Sequence, residues 1–320
     1  MDRRGLLIVS GFIKTGSSAL IDLLRDQPGH HALLPEFTIF HGPGGINELA
    51  HSCAGEVRDT VAAIAKCKKR LLNAGRDLTP TYRLGARLRR LLTAKRIPGH
   101  QRRAAYDRHF TGAYLPTMQQ YFAELQRDLP LAERGEERLS RLRSVTSEHF
   151  LALAKAVLPP EDRLLILNQM IKPTSDTLLG LSLLSDARLI VVDRDPRDQY
   201  VDLERRGRLQ STIARFCAPS GDWVHDFIQW YERRRFDFYG NGNANHPRVL
   251  IVRFEEFASR PSATLDRVFE WLGVERPPEY ALGPSFRSAE AASIVNMWQR
   301  HGEPHAMARI HRELKGYCLH

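Results

Sequence analysis

The feature that most limits what this chain can become lies in its first thirty residues. GLLIVSG (Gly5–Gly11) is a short apolar run bounded by glycines, and it leads through FIKTG into SSALIDLL, where Leu20, Ile21, Leu23 and Leu24 recur at helical spacing. An unbroken apolar run of this length suits a strand buried on both faces, as parallel sheets require. The segment after it reads as an amphipathic helix, closed by Pro28 and Gly29. Strand, glycine loop and helix in direct succession form the opening unit of an α/β sheet.

The same alternation returns late in the chain. RLLILNQMIKP (163–173), ARLIVVDRDPRD (187–198) and RVLIVRFEEF (248–257) read as three further buried strands, with helices expected over 178–184 and 263–272. Another strand is expected near Phe37 to Phe40, inside the loop-rich stretch HALLPEFTIFHGPGGINEL. Residues 51–158 are helical in pattern, with breaks expected at Gly75, Thr79-Pro80, Pro98-Gly99, Pro116 and Pro130. Strands separated by helical segments imply right-handed crossovers. The expected fold class is therefore α/β: a P-loop-like, three-layer arrangement of a central parallel sheet flanked by helices. Residues 1–320 form a single domain in this reading, and 51–158 is a large helical insertion.

Charge adds a constraint that the totals conceal. Lys and Arg number 47 against 37 Asp and Glu, a net +10, but fourteen of those bases and only two acids, Asp77 and Asp107, fall within 66–108. One segment is basic and the remainder is slightly acidic. Such a segment suits an anionic partner, and a set of solvated helix faces is its plainer reading. It lacks the interleaved aromatics of a nucleic-acid binder, so none is expected as partner. Cys53, Cys67, Cys217 and Cys318 are scattered and form no C-x-x-C pair, so neither a disulfide framework nor a zinc site is indicated. No apolar run approaches the roughly 18 residues of a membrane span, and MDRRGLLIVSGF lacks the core of a signal peptide. A cytoplasmic enzyme is expected.

GFIKTGSSAL (residues 11–20) carries the clearest chemistry. A tight turn between a strand and a helix N-terminus aims several backbone N–H groups at one point, which is how proteins hold phosphate and sulfate-like groups. Lys14 adds a mobile cation, and Thr15, Ser17 and Ser18 add hydroxyls beside Gly16. A strand–turn–helix connection with a serine cap is the plainer alternative. A nucleoside-triphosphate loop needs G-x-x-x-x-G-K-[ST]. Gly11 and Gly16 have that separation, yet Ser17 stands where the lysine belongs and the lysine has moved to position 14. LIVVD, ending at Asp193, imitates the acidic strand end that assists Mg²⁺ in such enzymes. A Mg²⁺-dependent nucleotide kinase, or other P-loop phosphotransferase, is therefore the runner-up, and a non-enzymatic polyanion-binding protein the third reading.

The K-[TS]-G-[ST]-[ST] pattern at Lys14 to Ser18 resembles the 5′-phosphosulfate loop of the sulfotransferases that use 3′-phosphoadenosine 5′-phosphosulfate (PAPS). LIVVDRDPRDQYVDL (189–203) is similar to that family's 3′-phosphate motif, and RVLIVRFEEFASRPSATLDRVFEWLGV (248–274) to the block that follows it. The resemblance covers about 5–42 and 160–300 and points to bacterial, carbohydrate-sulfotransferase-like members. It implies PAPS as donor, 3′-phosphoadenosine 5′-phosphate (PAP) as product, no metal, and in-line transfer of a sulfuryl group to an acceptor hydroxyl.

By the same resemblance Lys14 neutralises the leaving oxygen, Lys14, Thr15, Gly16, Ser17 and Ser18 bind the 5′-phosphate, and Arg194 binds the 3′-phosphate. Glu36, in LPEFTIFH, matches the segment where glycan sulfotransferases carry a catalytic glutamate. His41 is its rival, because small-molecule members use histidine. Asp202 departs from the family, which carries serine there; either it turns away, a cation screens it, or Ser211 or Thr212 takes over. Lys172 is either a strand cap or a contact of the acceptor or of Glu36. Arg197 is expected in solvent, Trp223 to Tyr231 in the core, and Arg300 is a further candidate cation for the 3′-phosphate. The insertion at 51–158 has no counterpart in the family pattern. It is expected to cap the acceptor side, and its charge suits an anionic glycan.

Overall fold

The computed structural model describes residues 5–33, 36–77, 108–159, 162–274 and 282–319. Among them five strands form one parallel sheet: β1 (Gly5–Gly11), β2 (His30–Leu33), β3 (Leu164–Asn168), β4 (Arg188–Asp193) and β5 (Val249–Arg253), in the order β2-β3-β1-β4-β5. His30 lies opposite Leu164 and Leu189 opposite Val249. β1 is the middle strand, which is why its Leu6, Leu7, Ile8 and Val9 are all buried. The strand order reverses at β1, and such a reversal is where open α/β sheets bind ligands at the carboxyl ends of their strands. The glycine loop leaves β1 at that end.

Helix α1 (Ser17–Arg25) follows β1. Four helices, α2 (Ile46–Ser52), α3 (Val57–Asp77), α4 (Arg108–Asp128) and α5 (Gly135–Val157), are described between β2 and β3, and α6 (Thr177–Ser182) follows β3. After β4 come α7 (Pro196–Arg205), α8 (Leu209–Ile213) and α9 (Trp223–Tyr239). After β5 come α10 (Phe254–Ser259), α11 (Pro261–Leu272), α12 (Ser288–Ser293), α13 (Met297–His301) and α14 (Pro304–Glu313). No described helix is long and apolar enough to cross a membrane.

The chain makes two compact units. One comprises Met1–Ile8, Pro28–Lys172 and Asp176–Arg188, and the other Val9–Gln27, Pro173–Ser175 and Leu189–His320. In the first, Phe37 meets the rings of Phe110 and Tyr114 edge-on at 5.4 and 5.3 Å, while Phe40 lies 6.0 Å from Phe150. Each such fully buried side chain contributes roughly 1.5–3 kcal/mol relative to exposure. In the second unit, Tyr200, Phe227, Trp230, Tyr231, Met307 and Ile310 share one core. The aromatic run at 223–231 is therefore packing, as its helical spacing implied.

Two expectations need correcting. The strand expected at Phe37 to Phe40 lies earlier, in the polar-looking HHAL of β2, which pairs residue by residue with β3. Phe37 still donates its N–H to Asn168 O at 2.8 Å, but Ile39 N–H then turns back to Phe37 O and ends any ladder. The apolar side chains there are buried as loop anchors, a role that an apolar run does not distinguish from a strand. Neither Gly75 nor Pro116 breaks a helix: both lie inside, in α3 and α4. A proline in a helix interior costs about 3 kcal/mol, and the burial of Tyr114, Met118, Tyr121 and Phe122 on α4 offsets it. Most of the basic stretch, 78–107, lies outside the described residues, and so do the breaks expected at Thr79-Pro80 and Pro98-Gly99.

Candidate active site

The loop after β1 is tightly determined. Thr15 is buried, and both its Oγ1 (2.9 Å) and its N–H (3.3 Å) donate to Phe12 O, closing the turn. Lys14 takes a left-handed conformation (φ 63°), a cost of about 1–3 kcal/mol of the kind concentrated at functional turns. Gly16 also has positive φ (91°), and a Cβ there would run into the Phe254 ring. Its carbonyl accepts from the N–H groups of Ala19 (3.0 Å) and Leu20 (3.2 Å), which starts α1. The leading N–H groups of a helix point out of its N-terminus, so this end presents donors. Lys14 is half-buried, Ser17 buried and Ser18 exposed on that turn. Thr15, expected as a donor to the ligand, instead spends its hydroxyl proton inside the loop.

Behind the loop sits a buried network that holds its shape. Gln199 Nε2 donates to Ile13 O, and its Oε1 accepts from Arg235 at 3.1 Å. The fully buried Arg235 pairs with Asp193 at 2.6 Å and stacks over the rings of Phe12 (4.3 Å) and Tyr231 (3.3 Å). Asp193 also accepts from Arg194 N–H (2.9 Å) and from Tyr239 Oη (2.9 Å); burial, then the nearby carboxylate, hold that phenol well above its usual pKa. Removing either partner of a buried pair costs about 3–5 kcal/mol, because a lone charge is left behind.

The R-D-P-R-D segment divides its labour. Arg194, 2% exposed, donates to Ile294 O (2.8 Å) and Lys14 O (3.4 Å), and lies 4.8 Å from the centre of the Phe254 ring. Its Nε is buried without a partner. Asp195 caps α7 by accepting from Arg197 N–H (2.8 Å), and Pro196 occupies the first turn, where a missing N–H costs nothing. Asp198 accepts from the N–H groups of Asn296 (2.8 Å) and Trp298 (3.0 Å), and burial raises its pKa. Arg197, expected in solvent, is buried: it grips Asp195 at 2.7 Å, donates to Leu319 O and stacks 4.0 Å over Trp298. Its carboxylate partner makes that burial affordable.

Asp202 is screened by a cation, Arg206, at 2.7 Å one turn on. Ser211 donates to Arg208 O, and Arg300, exposed, to Ser293 O (2.5 Å) and Val295 O (3.4 Å). Glu255 went unnoticed in the sequence beyond its place in an acidic pair. Its Oε1 accepts from Asp195 N–H (2.8 Å), its Oε2 is buried without a partner, and burial pushes its carboxyl up to about 7. Arg235 carried no usable signal, because ERRRF on a helix reads as a solvated run. Gln199 was within reach, directly after the motif's last aspartate.

The candidate bases lie in the other unit. Glu36 is exposed, directly before the anchored Phe37; Leu34 and Pro35 lie outside the described residues. His41 is half-buried, and its Nε2 accepts from the backbone N–H of Lys172 at 2.6 Å. An imidazole that accepts at Nε2 is neutral and carries its proton on Nδ1. The structure thus joins His41 to Lys172 through the main chain.

Residues 7–278 match the model of the sulfotransferase family. The chain belongs to that family. Solved structures similar to this sulfotransferase include the sulfotransferase domain from the curacin biosynthetic pathway, with a TM-score of 0.46 and 14% identity over 98% of either chain. The sulfotransferase domain from the Synechococcus PCC 7002 olefin synthase gives 0.48 and 14%, over 98% of this chain and 94% of that one. Retinol dehydratase in complex with androsterone and the inactive cofactor PAP gives 0.37 and 12%, over 98% and 81%. A comparison with curated proteins found no match.

Proposed function

We propose that this sulfotransferase moves a sulfuryl group from PAPS to a hydroxyl of an anionic glycan, with Glu36 as general base. The observation that carries the donor half is Arg194, a buried cation held beside the Lys14 carbonyl with Nε lacking an acceptor. A buried, unsatisfied cationic N–H calls for an anion, and a phosphate-bearing donor fits these residues. Lys14 and the donor-rich turn at Gly16 to Ser18 suit a second phosphate.

When bound, the donor supplies a sulfuryl group on a phosphate leaving group. Lys14 neutralises charge developing on the leaving oxygen, and the amides and hydroxyls of Ser17 and Ser18 hold the 5′-phosphate while Arg194 holds the 3′-phosphate. Glu36 takes the proton from the acceptor hydroxyl as its oxygen bonds to sulfur. His41 is less suited, because a proton at Nε2 would displace the Lys172 N–H already bound there. The positive charge of 66–108 supports an acceptor that is itself anionic, such as a uronic-acid or sulfated glycan. The 51–158 insertion is assigned to its binding.

The phosphotransferase alternative is disfavoured by Asp193, the carboxylate it would need for Mg²⁺, which is committed to Arg235, Tyr239 and Arg194 N–H. Incubation with sulfur-labelled PAPS, chondroitin oligosaccharide and EDTA tests the proposal. Label on the oligosaccharide is expected. Consumption of ATP with Mg²⁺, and no transfer of label to any acceptor, would replace it with phosphotransfer.

A further inference from the structure

The exposed Glu36 precedes a loop that a cation of the helical insertion grips at two carbonyls. Arg70, on α3, reaches back to residues 38–43. Its Nη2 donates to Thr38 O at 2.6 Å and its Nη1 to Pro43 O at 2.8 Å. Two carbonyls five residues apart on one guanidinium make a clasp that only arginine's planar fork can form; an ammonium would serve one at a time. Charge-assisted bonds of this kind are roughly twice as strong as neutral ones.

The rest of the loop is pinned to match. On one side Phe37 is bonded to Asn168 O and buried between Phe110 and Tyr114. Between the two clasped carbonyls His41 accepts from Lys172 N–H. Beyond them Gly44 donates to Glu48 Oε2 at 2.6 Å, and Lys66, one turn before Arg70, holds the other oxygen of Glu48 at 2.5 Å. Gly44 has positive φ (74°), and a Cβ there would press on Lys66 at 3.2 Å. The loop closes on itself through Gly45 N–H to Gly42 O, Ile46 N–H to Ile39 O and Asn47 N–H to Phe40 O. The clasp itself is anchored, since Tyr114 Oη on α4 donates to Leu71 O, the residue after Arg70.

An exposed carboxylate that needed only to be wet would not require its neighbours to be held at five points. We infer that Arg70 is a positioning residue for sulfuryl transfer: its clasp on Thr38 and Pro43 holds the loop next to Glu36, so that the insertion's first long helix sets the geometry of the base. The inference rests on the reading of Glu36 given above. It extends that reading from the base to the helix that aims it, and makes α3 part of the catalytic apparatus rather than a passive support.

Full-length Arg70→Ala, Arg70→Lys and Arg58→Ala are compared. Arg58 lies on the same helix, exposed and, among the described residues, ion-paired with Glu56, so its loss controls for charge and helix content. The readouts are hydrogen exchange at the amides of Gly45, Ile46 and Asn47, PAP affinity, and kcat with chondroitin oligosaccharide. For Arg70→Ala the expectation is exchange faster by about 10-fold or more and kcat lower by about 10–100-fold, the scale of misplaced catalytic groups. PAP affinity should stay within about twofold, Arg70→Lys should recover part of the kcat, and Arg58→Ala should change nothing. Unaltered exchange in Arg70→Ala, or faster exchange with kcat intact, would overturn the inference, as would an equal effect of Arg58→Ala. If wild-type protein transfers no sulfate, or Glu36→Gln keeps wild-type kcat, the base assignment fails instead. The exchange result still decides whether Arg70 holds the loop.

Discussion

The turn at Gly11 to Ser18 and the loop at Glu36 to Gly45 are both candidate parts of one reaction, but they are built differently. The turn is held from inside by backbone geometry, a positive φ at Lys14 and Gly16, and a buried network running through Gln199, Arg235 and Asp193. The loop is held from outside: Arg70 and Glu48 grip its main-chain atoms, and the backbone N–H of Lys172 donates to the His41 ring. A turn suited to hold phosphate through main-chain donors must keep the path of its backbone, and its buried support comes from as far as Gln199, 186 residues from Ile13. A loop suited to offer one carboxylate needs only to be aimed, and its grips range from Glu48, four residues from Gly44, to Lys172, 131 residues from His41.

The sharpest way to separate the two regions is Glu36→Gln. Turnover should fall by about 10²–10⁴-fold, the range of general-base catalysis, while PAP affinity by calorimetry stays unchanged. His41→Ala should cost less turnover and more stability, since it removes the Lys172 contact. If the two variants exchange these effects, the base is His41 and the comparison must be redrawn.

Arg194→Ala should act in the opposite sense. Loss of a charged hydrogen bond worth about 1.5–3 kcal/mol weakens PAP roughly 10–100-fold, and kcat at saturating donor changes less. Gly16→Ala should be milder on binding and harsher on folding: strain at positive φ with the Phe254 ring in the way costs about 1–3 kcal/mol, read as a lower urea midpoint.

Those residues also mark how far the sequence could be read. β1, the loop and α1 were legible because apolar run, glycine spacing and helical period agree over twenty consecutive residues. β3, β4 and β5 were legible for the same reason. β2 was not: HHAL has no apolar signature, and it is a strand because β3 offers it partners. Lys14 and Arg194 were singled out as candidates by motif spacing, and the structure adds that Arg194 has a buried Nε without a partner. Arg197 was misplaced because exposure was judged from residue type, whereas Asp195 two residues earlier neutralises it. Arg235 and Arg70 were invisible, since their partners lie 42 and about 30 residues away and nothing local distinguishes a clasping arginine from a solvated one.

Glu255 offers a pH test confined to the donor side. Its folded pKa of about 7 stands above the usual 4.5, so the carboxyl is protonated longer in the folded protein than in the unfolded chain. Its stabilising contribution is complete below about 4.5 and is lost as pH rises through 7, a change of the order of 3 kcal/mol. Urea unfolding between pH 4.5 and 7.5 should show that decline in wild-type protein and a flatter profile in Glu255→Gln. Identical profiles would remove Glu255 from the account. The smallest effect is expected from the basic stretch: reversing Arg87, Arg89 and Arg90 to Glu should raise the KM for chondroitin several-fold at low salt, with the difference shrinking as salt screens beyond about 8–10 Å. PAP affinity should be untouched.

The central claim is that the turn and Arg194 hold a nucleotide bisphosphate by their own donors. A metal-free thermal scan with PAP measures it most directly, because a ligand of the native state alone raises the melting temperature by mass action. With EDTA present, PAP should raise the melting temperature of wild-type protein and raise that of Arg194→Ala less at the same concentration, and ATP with Mg²⁺ should give a smaller shift or none. A shift with ATP and Mg²⁺ but none with PAP would contradict the account.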